Sequence, residues 1–174
     1  MRKQKGFSLI ELLIVIAIIL IIAAIAIPSL MRSRMLANQS AAASTVRTLV
    51  TAQSSYYSTY GAVVGYATTI GRLGVPAPPA PCPVGVPTLA AACLVDPVLT
   101  TGFKGGYQYE AVSYGATGTL GPQNFTVDTI PTTPGTTGNV SYCATDDGVV
   151  YFQTPPAGLV GPVRCPPPYA PLQN

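Results

Sequence analysis

The hydrophobic pattern divides the chain into an apolar N-terminal run and a mixed remainder. Residues 9–27 are apolar except for Glu11. At about 1.5 Å per residue, a helix over this run is about 28 Å long, enough to cross the hydrocarbon core of a bilayer. The preceding Arg2, Lys3 and Lys5 favour a cytoplasmic N-terminus, with the rest of the chain on the outer side. The pattern therefore predicts a membrane-spanning helix.

Beyond Pro28 the apolar positions recur at helical spacing, which predicts an amphipathic helix over residues 29–61. Its predicted apolar face consists of Met31, Met35, Ala42, Val46, Leu49, Tyr56 and Tyr60. Gly61 follows this pattern and is typical of a helix C-terminus. The clustered tyrosines at the helix end, Tyr57 among them, are interpreted as core packing.

The remaining pattern predicts a loop followed by a sheet. Residues 74–99 are rich in proline and alanine, which favours a loop. Alternating side-chain character then predicts four antiparallel strands, at residues 107–112, 125–130, 140–144 and 149–152. Asp146-Asp147-Gly148 is a hairpin signal between the last two. The predicted fold class is α+β, with a long N-terminal helix packed on a four-stranded antiparallel sheet.

Composition narrows the functions that the chain can have. Its 174 residues suit one spanning helix and one modest globular domain. Of its nine Lys and Arg, three lie in the first five residues, and the other six are equal in number to the six Asp and Glu of the chain. A nucleic-acid partner bound through a basic face is therefore not expected. The chain has no His, no Gly-rich phosphate loop and no nucleophile–base constellation, so neither an enzyme nor a cofactor is predicted.

Four cysteines, Cys82, Cys93, Cys143 and Cys165, lie beyond the apolar run. An even number in an exported region predicts two disulfides. Four cysteines allow three pairings, of which Cys82–Cys93 and Cys143–Cys165 are favoured because each closes a short loop. Free thiols and a metal cluster are the alternatives. Asp146 and Asp147 are interpreted as turn residues, since too few oxygen ligands surround them for a calcium loop.

The N-terminal run has three interpretations. A cleaved secretory signal would use the small-residue site Ala24-Ile25-Ala26, and a plain anchor would use the apolar run alone. Neither accounts for Glu11. A carboxylate in a spanning helix costs roughly 2.5–3.5 kcal/mol on insertion scales, and such residues normally have a function and a partner.

The third interpretation comes from the order of residues around Glu11. Gly6-Phe7-Ser8-Leu9-Ile10-Glu11, followed by the apolar run, resembles the N-terminal motif of the type IV pilin family. The run into Pro28 also matches that family's approach to a helix-kinking proline. The resemblance implies that a prepilin peptidase cuts between Gly6 and Phe7 and methylates the new Phe7 amine. It also implies that Glu11 is the assembly residue, partnered by the Phe7 amine of a neighbouring subunit.

The chain departs from the family at Leu20, where many members carry a glycine. Leucine is the stronger helix former by about 1 kcal/mol, so the helix before Pro28 is expected to resist melting.

The resemblance also implies a domain organisation. Residues 1–6 are the leader, 7–28 the transmembrane and assembly helix, 29–61 the amphipathic helix and 62–174 the head, which ends in a disulfide-bounded C-terminal region.

The implied function is that of a structural subunit of a type IV pilus. The implied partners are other pilin subunits, the prepilin peptidase, an inner-membrane assembly platform and, before assembly, membrane lipid. The subunit would lie in the inner membrane with a cytoplasmic N-terminus and then in an extracellular filament. A pseudopilin of a type II secretion system and a membrane-anchored binding module that never polymerises are the alternatives. Adhesion, motility, DNA uptake and secretion all stay open as roles.

Overall fold

The computed structural model describes residues 7–75, 88–117 and 119–173. The chain divides into two units, Met1–Arg34 and Met35–Asn174. Helix α1 spans Leu9–Val64 and is followed by the short helix α2, Ile70–Leu73, and a 3-10 helix, Leu99–Thr101. The strands are β1 Phe103–Lys104, β2 Tyr107–Tyr114, β3 Asn124–Pro131, β4 Ser141–Thr145, β5 Val150–Gln153 and β6 Ala170–Pro171.

The strands form one antiparallel sheet in the order β1-β2-β3-β4-β5-β6. The predicted α+β fold class, a long N-terminal helix on an antiparallel sheet, is therefore confirmed. The sheet has six strands rather than the predicted four, because a two-residue strand is added at each edge. Two residues are too few for an alternating pattern, and Pro171 in β6 is a residue that a sheet accepts only at an edge.

Helix α1 ends at Val64 and not at Gly61, where the sequence predicted its end. Gly61 makes room for an aromatic ring, since a Cβ there would lie 2.6 Å from Cδ2 of Tyr57. Gly65 ends the helix instead, with a φ of 71° and its N–H donating to the Gly61 carbonyl at 3.0 Å. A left-handed glycine directly after the last helical residue is the usual helix stop.

The core of the second unit lies between α1 and the inner face of the sheet. The helix contributes Ala42, Val46, Leu49 and Tyr56, all buried, and the strands contribute Tyr107, Tyr109, Ala111, Phe125, Val127, Tyr142 and Ala144. The prediction of the apolar face is therefore confirmed from residue 42 onward. Met31 is exposed and Met35 half-buried, so the face begins later than the periodicity indicates.

The predicted aromatic packing at the helix end is present. Tyr56 is fully buried, with its ring centroid 5.1 Å from that of Tyr60. Tyr57 stacks on Tyr66 at 4.4 Å, and Tyr66 contacts Phe125 at 4.8 Å. These rings tie the end of α1 to the segment after it and to β3.

One buried polar residue in this core was not predicted. The side chain of Gln53 is fully buried, and its Nε2 donates to the Ala67 carbonyl at 2.9 Å. The N–H of Ala67 donates back to Oε1 at 3.0 Å. A side-chain amide therefore satisfies both backbone groups of a buried residue, which would otherwise be costly.

The outer face of the sheet is covered by residues 154–173, here called the C-terminal strap. Beneath it lie Thr126, Asp128, Ser141, Cys143 and Thr145, all buried. The hydroxyl of Thr126 donates to the Val163 carbonyl at 2.5 Å, and the Ala157 N–H donates to Oγ of Ser141 at 3.3 Å. The layer between strap and sheet is thus polar, whereas the layer between helix and sheet is apolar.

Candidate functional site

The predicted assembly residue Glu11 lies in the first turn of α1, where its side chain makes one of the two bonds of a capping box. Ser8 precedes the helix, and its backbone N–H donates to Oε2 of Glu11 at 2.9 Å. The N–H of Leu12 donates to the Ser8 carbonyl at 3.3 Å. In the S-x-x-E pattern the Glu side chain returns to the N–H of the capping residue and satisfies a donor that the helix leaves unpaired. This role of Ser8 was not predicted, although the pattern is visible in the sequence.

The helix terminus also favours the negative charge of Glu11. Backbone dipoles sum to about half a positive charge at a helix N-terminus, which stabilises a nearby carboxylate. An ionised carboxylate has about four acceptor sites, so one hydrogen bond to Ser8 leaves capacity for a further donor. Phe7, whose nitrogen would become the amine after the predicted cut, lies next to Ser8 and is 78% exposed. The arrangement places a carboxylate with spare acceptor capacity at an exposed apolar helix end.

The surface around Glu11 is apolar and uncovered. An 18-residue window of helix α1 near the N-terminus has a mean hydropathy of 3.3, and none of that window is buried. Large exposed side chains on this part of α1 include Leu9, Ile10, Leu12, Leu13, Ile14, Ile18, Ile19, Leu20 and Ile25. By length and composition this is a helix able to cross a membrane. A charge placed in such a surface needs a partner once water is removed.

The other predicted site residues are spread along the chain. Pro28 lies inside α1, and its kink stays a prediction. Cys143 and Cys165 form a disulfide with a Cα–Cα distance of 5.8 Å. Cys93 is disulfide-bonded. Gly6 and Cys82 lie outside the described residues, so cleavage at Gly6 and the Cys82–Cys93 pairing stay predictions.

The two turn carboxylates are engaged with protein groups. Asp147 accepts hydrogen bonds from the Val149 N–H and the Tyr151 hydroxyl, both at 2.9 Å. Asp146 lies 3.4 Å from Nη2 of Arg164. Within residues 7–75, 88–117 and 119–173, no three His, Cys, Asp or Glu side chains are grouped as metal ligands.

Comparison with known families agrees with the N-terminal geometry. The model of the prokaryotic N-terminal methylation motif matches residues 1–27. The match includes Glu11 and the exposed apolar start of α1, and the length and composition of this helix fit membrane anchoring.

Two curated relatives extend this comparison. The chain is 44% identical over 69 residues to the type IV major pilin protein PilA of Myxococcus xanthus, covering 40% of this chain and 31% of the relative. It is 40% identical over 80 residues to the type IV wide pilus major component PilA4 of Thermus thermophilus, covering 46% of this chain and 61% of the relative. The chain thus spans 31% of the length of the first relative and 61% of the length of the second. No solved structure matches it. The motif and both relatives support assignment to the type IV pilin family.

Proposed function

We propose that the chain is a structural subunit of a type IV pilus that polymerises through the exposed apolar part of α1. The observation that carries this proposal is the position of Glu11. It is the acidic residue of the first helical turn, within reach of Ser8, on the N-terminal part of α1, where the hydrophobic window has no buried residue among the described residues. Packing such helices together would bury these side chains, and Glu11 would need a cation, which the Phe7 amine of a neighbour supplies.

In this proposal Glu11 has two successive partners. Before assembly its carboxylate is held by the N–H of its own Ser8. During assembly the Phe7 amine of the next subunit approaches, and the carboxylate gains a partner of opposite charge, which the Ser8 N–H is not. A subunit that enters without this carboxylate leaves a buried amine unpaired, which is strongly unfavourable.

Two substitutions at Glu11 separate capping from assembly. Glu11→Gln keeps an oxygen that can accept from the Ser8 N–H but removes the charge, and Glu11→Val removes both. We expect both variants to insert in the membrane and to lose their leader, and both to give few or no filaments in sheared surface fractions. The measurement is the amount of subunit in filaments relative to the amount in membranes.

Glu110→Gln is the matched control, since it makes the same chemical change on β2 of the head. It is expected to leave filament yield unchanged. Normal filament yield from Glu11→Gln would contradict the charge pairing. Normal yield from Glu11→Val would show that Glu11 has no role in assembly.

The processing steps belong to the same proposal. A prepilin peptidase would cut between Gly6 and Phe7 and methylate Phe7, the head would lie outside the inner membrane, and an assembly platform there would receive the subunit. The methylation motif over residues 1–27 supports this. Gly6→Val should leave residues 1–6 attached and prevent filament formation, as intact mass would show. A filament built from uncut Gly6→Val subunits would contradict it.

A pilus subunit is favoured over a type II secretion pseudopilin. Both relatives with significant similarity are named as components of type IV pili. A polymerising subunit is also favoured over a membrane-anchored binding module, because such a module would not need the Glu11 carboxylate on its apolar helix.

A further inference from the structure

The C-terminal strap is fastened to the sheet at several points along its length. Besides the bonds to Thr126 and Ser141, the Leu172 N–H donates to the Val150 carbonyl at 2.7 Å, and the Tyr169 hydroxyl donates to Oγ of Ser141 at 3.1 Å. The Cys143–Cys165 disulfide adds a covalent tie. These contacts are neutral or covalent. Asp128 adds one that involves an ionisable group.

Asp128 lies in the middle of β3 on the face that the strap covers, and only 1% of it is exposed. Its Oδ2 accepts from the Val160 N–H, and the Gly161 N–H favours the ionised form of the carboxylate. Its Oδ1 is buried and has no hydrogen-bond partner among the described residues. A buried acceptor without a partner is costly, and more so when it carries charge.

The charged surroundings of Asp128 do not compensate its charge. Glu110 is its direct neighbour on β2 and Cys143, which is in the disulfide, its neighbour on β4. From the strap, Tyr169 faces it, and the strap's one basic residue, Arg164, is 3.4 Å from Asp146. Asp128 is therefore a buried acid next to another acid, and no basic group is paired with it among the described residues.

We propose that Asp128 is a proton-dependent latch that holds the strap on the sheet and grips it more firmly when neutral than when charged. A proton on Oδ1 removes the charge, and a neutral carboxyl group is less costly to bury than a carboxylate with an unpaired oxygen. Oδ2 stays available to the Val160 N–H. The strap is thus held at both protonation states, but opening is easier when the carboxylate is ionised, because opening returns the charge to water.

The same contacts determine in which direction pH changes the stability of the closed strap, and over which pH range. Burial raises the pKa of Asp128 to about 6, the Val160 hydrogen bond opposes this and the neighbouring Glu110 adds to it. A raised carboxyl pKa means that the closed state binds the proton more tightly than the open state. The stabilisation is therefore present below the ordinary range near 4, and it is lost as pH rises through about 6.

The test is hydrogen exchange of the strap in the full chain, held in detergent micelles. After correction for intrinsic exchange, the opening equilibrium of the Val160 and Gly161 amides should rise on the order of tenfold from about pH 4.5 to about pH 7.5. Asp128→Asn keeps an acceptor oxygen and has no charge, so the pH dependence should vanish and the strap should open less than the unmodified chain at about pH 7.5. A pH dependence that survives in Asp128→Asn would overturn the proposal.

Two controls keep the test decisive. Asp147→Asn changes a carboxylate of the β4–β5 turn and should leave the pH profile of the strap unchanged. Glu110→Gln should keep the pH profile but move its midpoint to lower pH.

If Asp128→Asn does not fold, the carboxyl carbon of Asp128 can be titrated by NMR in the unmodified chain. A midpoint near 6 supports the latch, and a midpoint near 4 overturns it.

Discussion

Two leucines of helix α1 show how differently the two parts of the chain use the same residue. Leu20 is 67% exposed, and Leu49 is fully buried between the helix and the sheet. Leu49 has its packing partners within its own subunit, whereas Leu20 requires lipid or another protein. A single helix thus combines a segment that folds the head with a segment completed only by its environment.

The largest expected difference between the two segments is in head stability. Leu49→Ala should lower the free energy of unfolding of the head by about 2–5 kcal/mol, because it leaves a cavity in a closed core. Leu20→Ala should change it by less than about 0.5 kcal/mol. Urea unfolding in micelles, followed by tyrosine fluorescence, measures both. Equal losses would show that the N-terminal segment is part of the folded core, which would break the comparison.

The disulfide between Cys143 and Cys165 should have the next largest effect, and it acts entirely within the head. Replacing both cysteines by alanine opens a loop with a sequence separation of 22. The expected loss is about 3 kcal/mol, because the unfolded chain regains the freedom that the link removed. The same unfolding experiment checks this, and cysteine replacement should leave membrane insertion unchanged. An unaltered unfolding midpoint would mean that the strap is held without the disulfide.

A smaller loss is expected at Gln53. Gln53→Leu fits a similar volume but leaves the N–H and the carbonyl of Ala67 buried without partners, which should cost about 2 kcal/mol. Gln39→Leu, a half-buried position outside the core cluster, is the matched control. If both variants lower the free energy of unfolding equally, the two hydrogen bonds between Gln53 and Ala67 do not account for the loss.

The smallest effect is expected at the exposed pair of Lys104 and Asp96, 2.6 Å apart. Burial raises the pKa of Asp96, but the hydrogen bonds from Lys104 and from the Leu99 N–H outweigh it, and the pKa lies below its ordinary value. Lys104→Met should therefore cost less than about 1 kcal/mol at neutral pH. The difference should disappear as pH falls through the lowered pKa of Asp96, since a protonated acid no longer attracts Lys104. A cost that persists in strong acid would point to packing instead of charge.

Local sequence patterns could predict part of the fold and part of the candidate site. The apolar run, the motif around Glu11 and the four longer strands depend on neighbouring residues, so local patterns were sufficient for them. The pairing of Gln53 with Ala67 and the covering of Asp128 by the strap join distant residues, and no local pattern marks them. The end of α1 was misplaced because Gly61 and Gly65 both suit a helix stop, and only contact with Tyr57 distinguishes them.

The most direct test of the central claim is the structure of the assembled filament. Electron cryo-microscopy of sheared filaments should show Phe7 as the first residue of each subunit, with its nitrogen within ion-pair distance of Glu11 of a neighbour. The apolar segment of α1 should form the filament core, with the heads outside. A filament whose subunits keep residues 1–6, or in which Glu11 faces solvent away from every Phe7, would contradict the account.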